Sequence, residues 1–311
     1  MAPQPTATIT LAVVGDIHEQ WELADHQALQ AISQRSATQC GVDLVLFVGD
    51  FGNESLPVVS LIASLPIPKA TVFGNHDAWF TASDWGRKKC PYDRQKEDRV
   101  KAQQELLGLA DVSYGRRDFQ QFGLSVVGGR PFTWGGNEWK NKQFMQERYG
   151  MESFAQSQTH IAATALASPH ETLIFLAHNG PTGLGNHAES ICGRDWNPIG
   201  GDFGDPDLAW AIASVREQGK QVPLVTFGHM HHRLRHRQDR LRERVYVDDQ
   251  GTVYLNAACV PRIQTEKDGL PAARNFSLVT LVNGTVEKIT LVWLRNNGEI
   301  ISQETLWISA H

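Results

Sequence analysis

Three short runs near the start of the chain, Ile9 to Val14, Val42 to Val48 and Ala70 to Phe73, are dominated by apolar and β-branched residues, and each gives way within a few positions to aspartate, asparagine or histidine. Runs of this kind are inner strands buried on both faces, the pattern of a parallel sheet. Between the first two lies a helical stretch carrying Trp21, Ala24, Ala28 and Ile32 on one side, with Gly41 expected as its left-handed cap. Strand, helix, strand, helix, strand is a βαβ pattern, and it limits the chain to a largely parallel sheet at this end. Loops that leave the carboxyl ends of such strands gather on one edge, where ligands bind.

The rest of the chain continues the alternation. Phe119 to Val127 and Leu173 to Ala177 read as strands, separated by a helix on which Phe154, Gln158, Ile161 and Ala165 share a face. A helix is expected from Pro206 to Gln218, with Asp205 as N-cap, Pro206 at its first position, Leu208, Ile212 and Val215 as the buried stripe and Gly219 as the stop. After Val222 to Phe227 the pattern turns to hairpins, at Arg244 to Val247, Thr252 to Leu255, Phe276 to Val282, Val286 to Leu294 and Ile300 to Ile308, with turns at Asn283-Gly284 and Asn296-Asn297-Gly298. Residues 79–110 are read as a polar insertion over the sheet edge, and residues 179–205 as a long Gly-rich loop. At 311 residues the chain is expected to form a single domain over 1–311, with no internal repeat.

The formal charge of −5 argues against a broad basic face for nucleic acid. The N-terminus has neither a charged start nor a long apolar core, so no signal peptide or membrane span is expected. Cys40, Cys90, Cys192 and Cys259 have no paired spacing, which suggests free thiols and a cytoplasmic location.

Five segments carry metal-liking residues in order: Asp16-Ile17-His18, Gly49-Asp50, Gly74-Asn75-His76-Asp77, His178 and Gly228-His229-Met230-His231. Residues two apart on an extended backbone point the same way and lie roughly 6 to 7 Å apart. Metal ions in dinuclear hydrolytic sites sit about 3.5 to 4 Å apart, so an i,i+2 histidine pair can serve both ions.

This series, D-x-H, G-D, G-N-H-D, H and G-H-x-H, resembles the calcineurin-like metallophosphoesterase superfamily, and the later strand Val253 to Asn256 looks like the one that usually follows its last motif. The resemblance implies a four-layer α/β/β/α sandwich with mixed sheets. It implies that Asp16, His18, Asp50 and His231 hold one divalent ion, and that Asp50, Asn75, His178 and His229 hold a second, with Asp50 bridging. Carboxylate and amide oxygens mixed with imidazole suit manganese, iron, zinc, cobalt or nickel. In such a site a metal-bridged hydroxide attacks phosphorus, and His76, which is not a ligand, is implied as the general acid. Asp77 beside it is the expected group to orient His76. One departure is Asn53: protein-phosphatase members carry there, three residues after the bridging one, an aspartate that helps orient the histidine, and the phosphoprotein phosphatase signature is absent.

The expected substrate is therefore a small soluble phosphomonoester or phosphodiester such as a nucleotide. A nuclease or a non-catalytic scaffold on the same fold are the alternatives. Arg130, His187, Arg194 and Asn256 are candidate substrate contacts. The arginine-rich run 233–244 is read mainly as a solvated flank, with steering of an anionic substrate as the second reading.

Overall fold

The computed structural model describes residues 8–33, 41–264 and 272–310. Along the chain these form β1 (Thr8–Val14), α1 (Leu23–Ser33), β2 (Leu44–Phe47), α2 (Leu56–Ala63) and β3 (Lys69–Thr71), then α3 (Trp79–Ala82), α4 (Asp84–Lys88) and α5 (Arg99–Leu107). Next come β4 (Arg116–Phe119), β5 (Leu124–Gly128), α6 (Lys142–Tyr149), α7 (Phe154–Leu166), β6 (Thr172–Leu176), α8 (Pro206–Glu217) and β7 (Gln221–Phe227). The chain closes with β8 (Val245–Val247), β9 (Val253–Asn256), β10 (Ile263–Gln264), β11 (Ala273–Val282), β12 (Thr285–Leu294) and β13 (Ile300–Ile308).

Two mixed sheets flanked by helices result, the expected sandwich. One runs β13-β12-β11-β1-β2-β3, with β10 paired to β11, and the other runs β4-β5-β6-β7-β9-β8. The inner strands β1, β2 and β3 are parallel, as are β5, β6, β7 and β9, while the outer pairings are antiparallel. Strand alternation builds the layers. Leu11 and Val13 of β1 enter the core between the sheets with Leu44, Leu46, Ile174, Leu176 and Leu224. Their neighbours Ala12 and Val14 face outward with Val45 and Phe47, under Leu29 and Ile32 of α1. Both faces are covered, which is why these runs read as continuously apolar.

Several expectations need correction. The single strand expected over 119–127 is two antiparallel strands, because a 3-10 turn at Gln120–Phe122 reverses the chain between β4 and β5. Residues 79–110 include the helices α3, α4 and α5: α5 packs on α2, and the buried Glu54 carboxylate ties the segment down, accepting from the Thr81 amide at 2.7 Å and from the Tyr92 hydroxyl. Trp21 precedes α1, and the buried face of that helix is Asp25, His26, Ala28, Leu29 and Ile32. The expected cap at Gly41 adjoins residues 34–40, which lie outside the described residues, as does Cys40. Cys90, Cys192 and Cys259 are free thiols, and among the described residues no helix is long and apolar enough to cross a membrane.

Asp25 turns inward because two arginines meet it. Arg262 donates to its Oδ1 at 2.9 Å and Arg274 Nε lies 3.4 Å from the same oxygen, all three residues being buried. Arg262 also donates to the Gln20 carbonyl at 2.9 Å, and so clamps the end of the loop that follows β1. An uncompensated buried charge is costly, so Asp25→Ala, which leaves the buried Arg262 guanidinium without its carboxylate, is expected to lower unfolding stability by about 3 to 5 kcal/mol. Urea unfolding with the midpoint compared at equal m-value measures it.

Candidate metal centre

The ligand candidates sit where the expected topology puts them, beyond the carboxyl ends of parallel strands. Asp16 and His18 follow β1, Asp50 follows β2, Asn75 and His76 follow β3, His178 follows β6, and His229 and His231 follow β7. Both sheets thus contribute to one edge. The loops are forced into place: His18, Asp50 and His229 have φ of 45°, 53° and 65°, a left-handed conformation that side-chain-bearing residues rarely adopt. Such outliers persist only where surrounding contacts over-determine them, and they cluster at functional sites. Here backbone amides make the contacts, to a carbonyl and to two carboxylates. The Ile17 and His18 amides donate to the Asp50 carbonyl at 3.0 and 2.8 Å, the His76 amide to Asp50 Oδ1 at 2.9 Å, and the His229 amide to both Asp16 oxygens at 3.0 Å.

The side chains then converge in overlapping groups. Asp16, His18 and His231 form one, and Asp50, His178 and His229 another; a third, His18, Asp50 and His76, overlaps both. His231 Nε2 lies 3.2 Å from Asp16 Oδ2 and 3.1 Å from His18 Nε2, whose other neighbour is Asp50 Oδ2 at 3.9 Å. On the opposite side, His178 Nε2 lies 3.0 Å from Asn75 Oδ1, 3.1 Å from His229 Nδ1 and 3.4 Å from Asp50 Oδ1. The two oxygens of Asp50 therefore face different groups.

The tautomer of His178 tests whether a cation fits. Its Nδ1 donates to the Val48 carbonyl at 2.9 Å, which turns Nε2 toward the oxygens of Asn75 and Asp50. A cation placed between that nitrogen and those oxygens would satisfy all three, so this donor set matches a dinuclear divalent-metal site. The electrostatics agree. Burial pushes the Asp16 carboxyl up, but His231, His178 and His18 outweigh it and hold the group well below the usual carboxylate range. Burial, reinforced by His178, lowers His229 to about 3, so its imidazole is neutral and free to ligate.

His76 lies at the cleft beside this centre. Its Nδ1 donates to Asn53 Oδ1 at 2.7 Å, and its ring stacks on Trp79 with centroids 4.7 Å apart and planes 6° off parallel. Asn53 thus fills the orienting place that was expected of Asp77. Asp77 does something else: its carboxylate accepts from the amides of Gly74 at 2.7 Å, Asp50 at 2.9 Å and Phe51 at 2.7 Å, tying the β2 and β3 loops together beneath the ligands. The spacing His76-Asp77 suggested contact, but neighbouring residues in a 3-10 turn point apart, and Asp77 is fully buried.

Two of the expected substrate contacts are structural. Arg130 is buried and its guanidinium donates to Asp205 and Asp207, each at 2.8 Å. Asp205 stands at the N-terminus of α8 without capping it, because its Oδ1 accepts from Arg130 and from the Thr133 hydroxyl at 2.8 Å. Asn256 is buried, donates to the Met230 carbonyl at 2.7 Å and accepts from the Ala258 amide at 2.9 Å, so it fixes the turn between the last two histidines. His187 is exposed, and Arg194 donates to the Gly200 carbonyl at 3.0 Å; neither lines the cleft over the metal centre. That cleft holds about 430 Å³, and its walls include Trp134, Trp196, Phe203, Arg233 and Arg235. Trp196 and Phe203 come from the loop 179–205, whose turn is fastened by buried Arg242 donating to the carbonyls of Ala188 and Ser190 at 3.1 and 3.0 Å. The indole and guanidinium residues were visible in the sequence, but no spacing marked them as neighbours of the histidines.

Close backbone approach explains two of the motif glycines. A Cβ on Gly228 would stand 2.0 Å from Asp16 Oδ1, and one on Gly74 would stand 2.2 Å from Asp50 Oδ1. Gly228→Ala is therefore expected to displace the Asp16 carboxylate and cut bound metal at the Asp16, His18 and His231 group by about tenfold or more, in line with the loss on disturbing groups that orient ligands. Metal content after equilibrium dialysis, with circular dichroism to check the fold, measures it; full metal loading would show that the loop absorbs the methyl group.

Solved structures with a similar chain path include GAP50, the anchor in the inner membrane complex of Plasmodium, at TM-score 0.47 and 11% identity, covering 98% of this chain and 90% of that one. Another is the purple acid phosphatase PPD1 from yellow lupin seeds, at TM-score 0.46 and 15% identity, covering 96% of this chain and 54% of that one. A third is the NAD nucleotidase NadN of Haemophilus influenzae, at TM-score 0.44 and 11% identity, covering 96% and 55%. This chain spans about half the length of the last two. No curated protein matches it. Residues 9–233 match the family model described as calcineurin-like phosphoesterase, which takes in every motif from Asp16 to His231, so the chain belongs to the calcineurin-like phosphoesterases and is a metal-dependent hydrolase.

Proposed function

We propose that this protein hydrolyses a small soluble phosphoester, with Asp16, His18, Asp50 and His231 holding one divalent ion and Asp50, Asn75, His178 and His229 the other. The observation that carries the reading is the Asp50 carboxylate, whose two oxygens face two separate sets of nitrogen and oxygen ligands, with His76 beside them. Divalent ions bound there supply Lewis-acid activation of water and neutralise charge on the phosphoryl group.

The protein's own residues supply position and a proton. With Nδ1 engaged by Asn53, His76 is left with Nε2 as the nitrogen for the leaving oxygen, and in its protonated form it passes that proton to the alkoxide as the phosphorus–oxygen bond breaks. The Trp79 stack removes the remaining freedom of the ring by covering one face. Asn53 orients without adding an anion. The absence of the protein-phosphatase signature favours a small molecule over a phosphoprotein. The ion identity stays among manganese, iron, zinc, cobalt and nickel.

We also read the whole chain as one domain, with the segment 79–110 and the loop 179–205 shaping the entrance. Pairing supports this: β11 hydrogen-bonds to β1 and β9 to β7, so strands beyond residue 233 complete both sheets. The free thiols at Cys90, Cys192 and Cys259 support a reducing compartment, the cytoplasm.

Metal-stripped protein resupplied with each ion in turn is expected to hydrolyse an aryl phosphate or a bis-aryl phosphodiester only when reloaded. His76→Ala is expected to lower kcat on a poor leaving group by about 10²- to 10⁴-fold with metal content unchanged. Asn53→Ala, which frees the ring without removing it, should lower kcat by a smaller factor. Turnover in His76→Ala equal to that of the native protein would remove His76 from the mechanism.

A further inference from the structure

The cleft carries more chemistry than the breaking of one ester bond requires. Its volume of about 430 Å³ falls in the range of small-molecule sites, well above what a phosphoryl group alone would fill. The arginine run beside it divides into two kinds. Arg237 pairs with Glu189 at 2.7 Å and with Asp239 at 2.5 Å, Arg242 with Asp195 at 3.3 Å, Arg244 with Glu304 at 2.6 Å, and Arg240 lies 4.0 Å from Asp239. Arg233 and Arg235 are exposed, line the cleft and form no ion pair among the described residues. Lys140, also in the lining, is already 3.0 Å from Glu138. Two unneutralised guanidinium groups thus stand two and four residues beyond His231, over a floor that two cations would already make positive.

The remaining walls are aromatic. Trp196 meets Phe203 edge to face at 4.8 Å, and the Arg235 guanidinium lies 5.4 Å from the Trp196 ring. Trp134 touches Trp79 at 5.3 Å, the same ring that stacks on His76. Indole faces are sites for flat rings, and guanidinium forks grip phosphate oxygens in pairs. A substrate with a single phosphate and no ring would leave both features unused.

We propose that the substrate is a nucleoside carrying two phosphate groups on separate ribose oxygens, one hydrolysed at the metal centre and the other gripped by Arg233 and Arg235, with Trp134 and Trp196 receiving the base. The proposal rests on the phosphoesterase reading above. Water adds its oxygen to the reacting phosphorus, the bond from phosphorus to the ribose oxygen breaks, and that oxygen takes a proton, giving a nucleoside monophosphate and orthophosphate.

The test uses full-length, metal-reloaded protein and three substrates: adenosine 3′,5′-bisphosphate, adenosine 5′-monophosphate and glycerol 2-phosphate. The expected order of kcat/KM is bisphosphate over monophosphate by about tenfold or more, the worth of one charge-assisted contact, and monophosphate over glycerol phosphate. Arg233→Ala and Arg235→Ala should each cut the bisphosphate value by about tenfold through KM and leave the monophosphate within about twofold. Trp196→Leu should lower both nucleotides and spare glycerol phosphate. Equal values for bisphosphate and monophosphate, or a preference that survives both arginine changes, would overturn the proposal. Quenching of tryptophan fluorescence by the same ligands in His76→Ala gives affinities without turnover, and tighter binding of adenosine 5′-diphosphate than of the bisphosphate would also overturn it. Failure to hydrolyse any aryl phosphoester would count against the phosphoesterase reading itself, while the fluorescence titration still scores the cleft.

Discussion

The carboxylate of Asp50 is held where an isolated chain would not put it. Its backbone is left-handed, its side chain is buried, and its two oxygens face two separate groups of histidines. The first two conditions are unfavourable alone. They coexist because the loop is pinned from three directions: Ile17 and His18 donate to the Asp50 carbonyl, Asp77 accepts from the Asp50 amide, and the His76 amide reaches Oδ1. Burial pushes Asp50 up, but His178, His76 and His18 outweigh it and keep the group ionised. The same contacts join the ends of β1, β2 and β3, so the first sheet's edge and the metal centre are one object.

That coupling explains which parts of the site were legible in the sequence. The ligand series could be read because each ligand sits within a few residues of a strand whose apolar pattern is plain, and topology alone brings such ends together. Gly74 and Gly228 belong to the same legible set, since a side chain at either would collide with a ligand carboxylate. The strand inventory was legible for the same reason, except where local turn chemistry was weak. Only the single Gly123, left-handed at the end of Gln120–Phe122, marks the β4–β5 reversal, and one glycine did not break a run that looked continuous.

What could not be read is side-chain partnership at long range. Asp77 follows His76 in sequence, yet its contacts are amides of Asp50 and Phe51, over twenty residues earlier. Asn53 looked like a loss relative to an aspartate and is instead the residue that holds the His76 ring. Asn53 stands three residues after Asp50, where the aspartate of related proteins orients the histidine, whereas the role of Asp77 leaves no trace in spacing. The pairing of β11 with β1 is of the same kind: the hairpins were visible from Asn283-Gly284, but the strand they would join was not.

Arginine shows the limit most sharply, because one residue type plays opposite parts in this fold. Arg130, Arg242, Arg262 and Arg274 are buried, and each is matched to a carboxylate far along the chain: Asp205 and Asp207, Asp195, and Asp25 for the last two. A guanidinium removed from water without such partners would cost several kcal/mol, so burial and pairing arrive together. An unpaired arginine is tolerated only where water or a ligand can reach it, and at the metal centre that means the wall of the cleft. Arg233 and Arg235 occupy that wall, two residues apart on the segment that follows His231. Their freedom comes from the fold rather than from their own sequence surroundings: Glu189 and Asp239 are taken by Arg237, and Asp195 by Arg242. The carboxylates that could have neutralised the cleft are spent on holding its loops in place, and the positive charge left over faces the cleft.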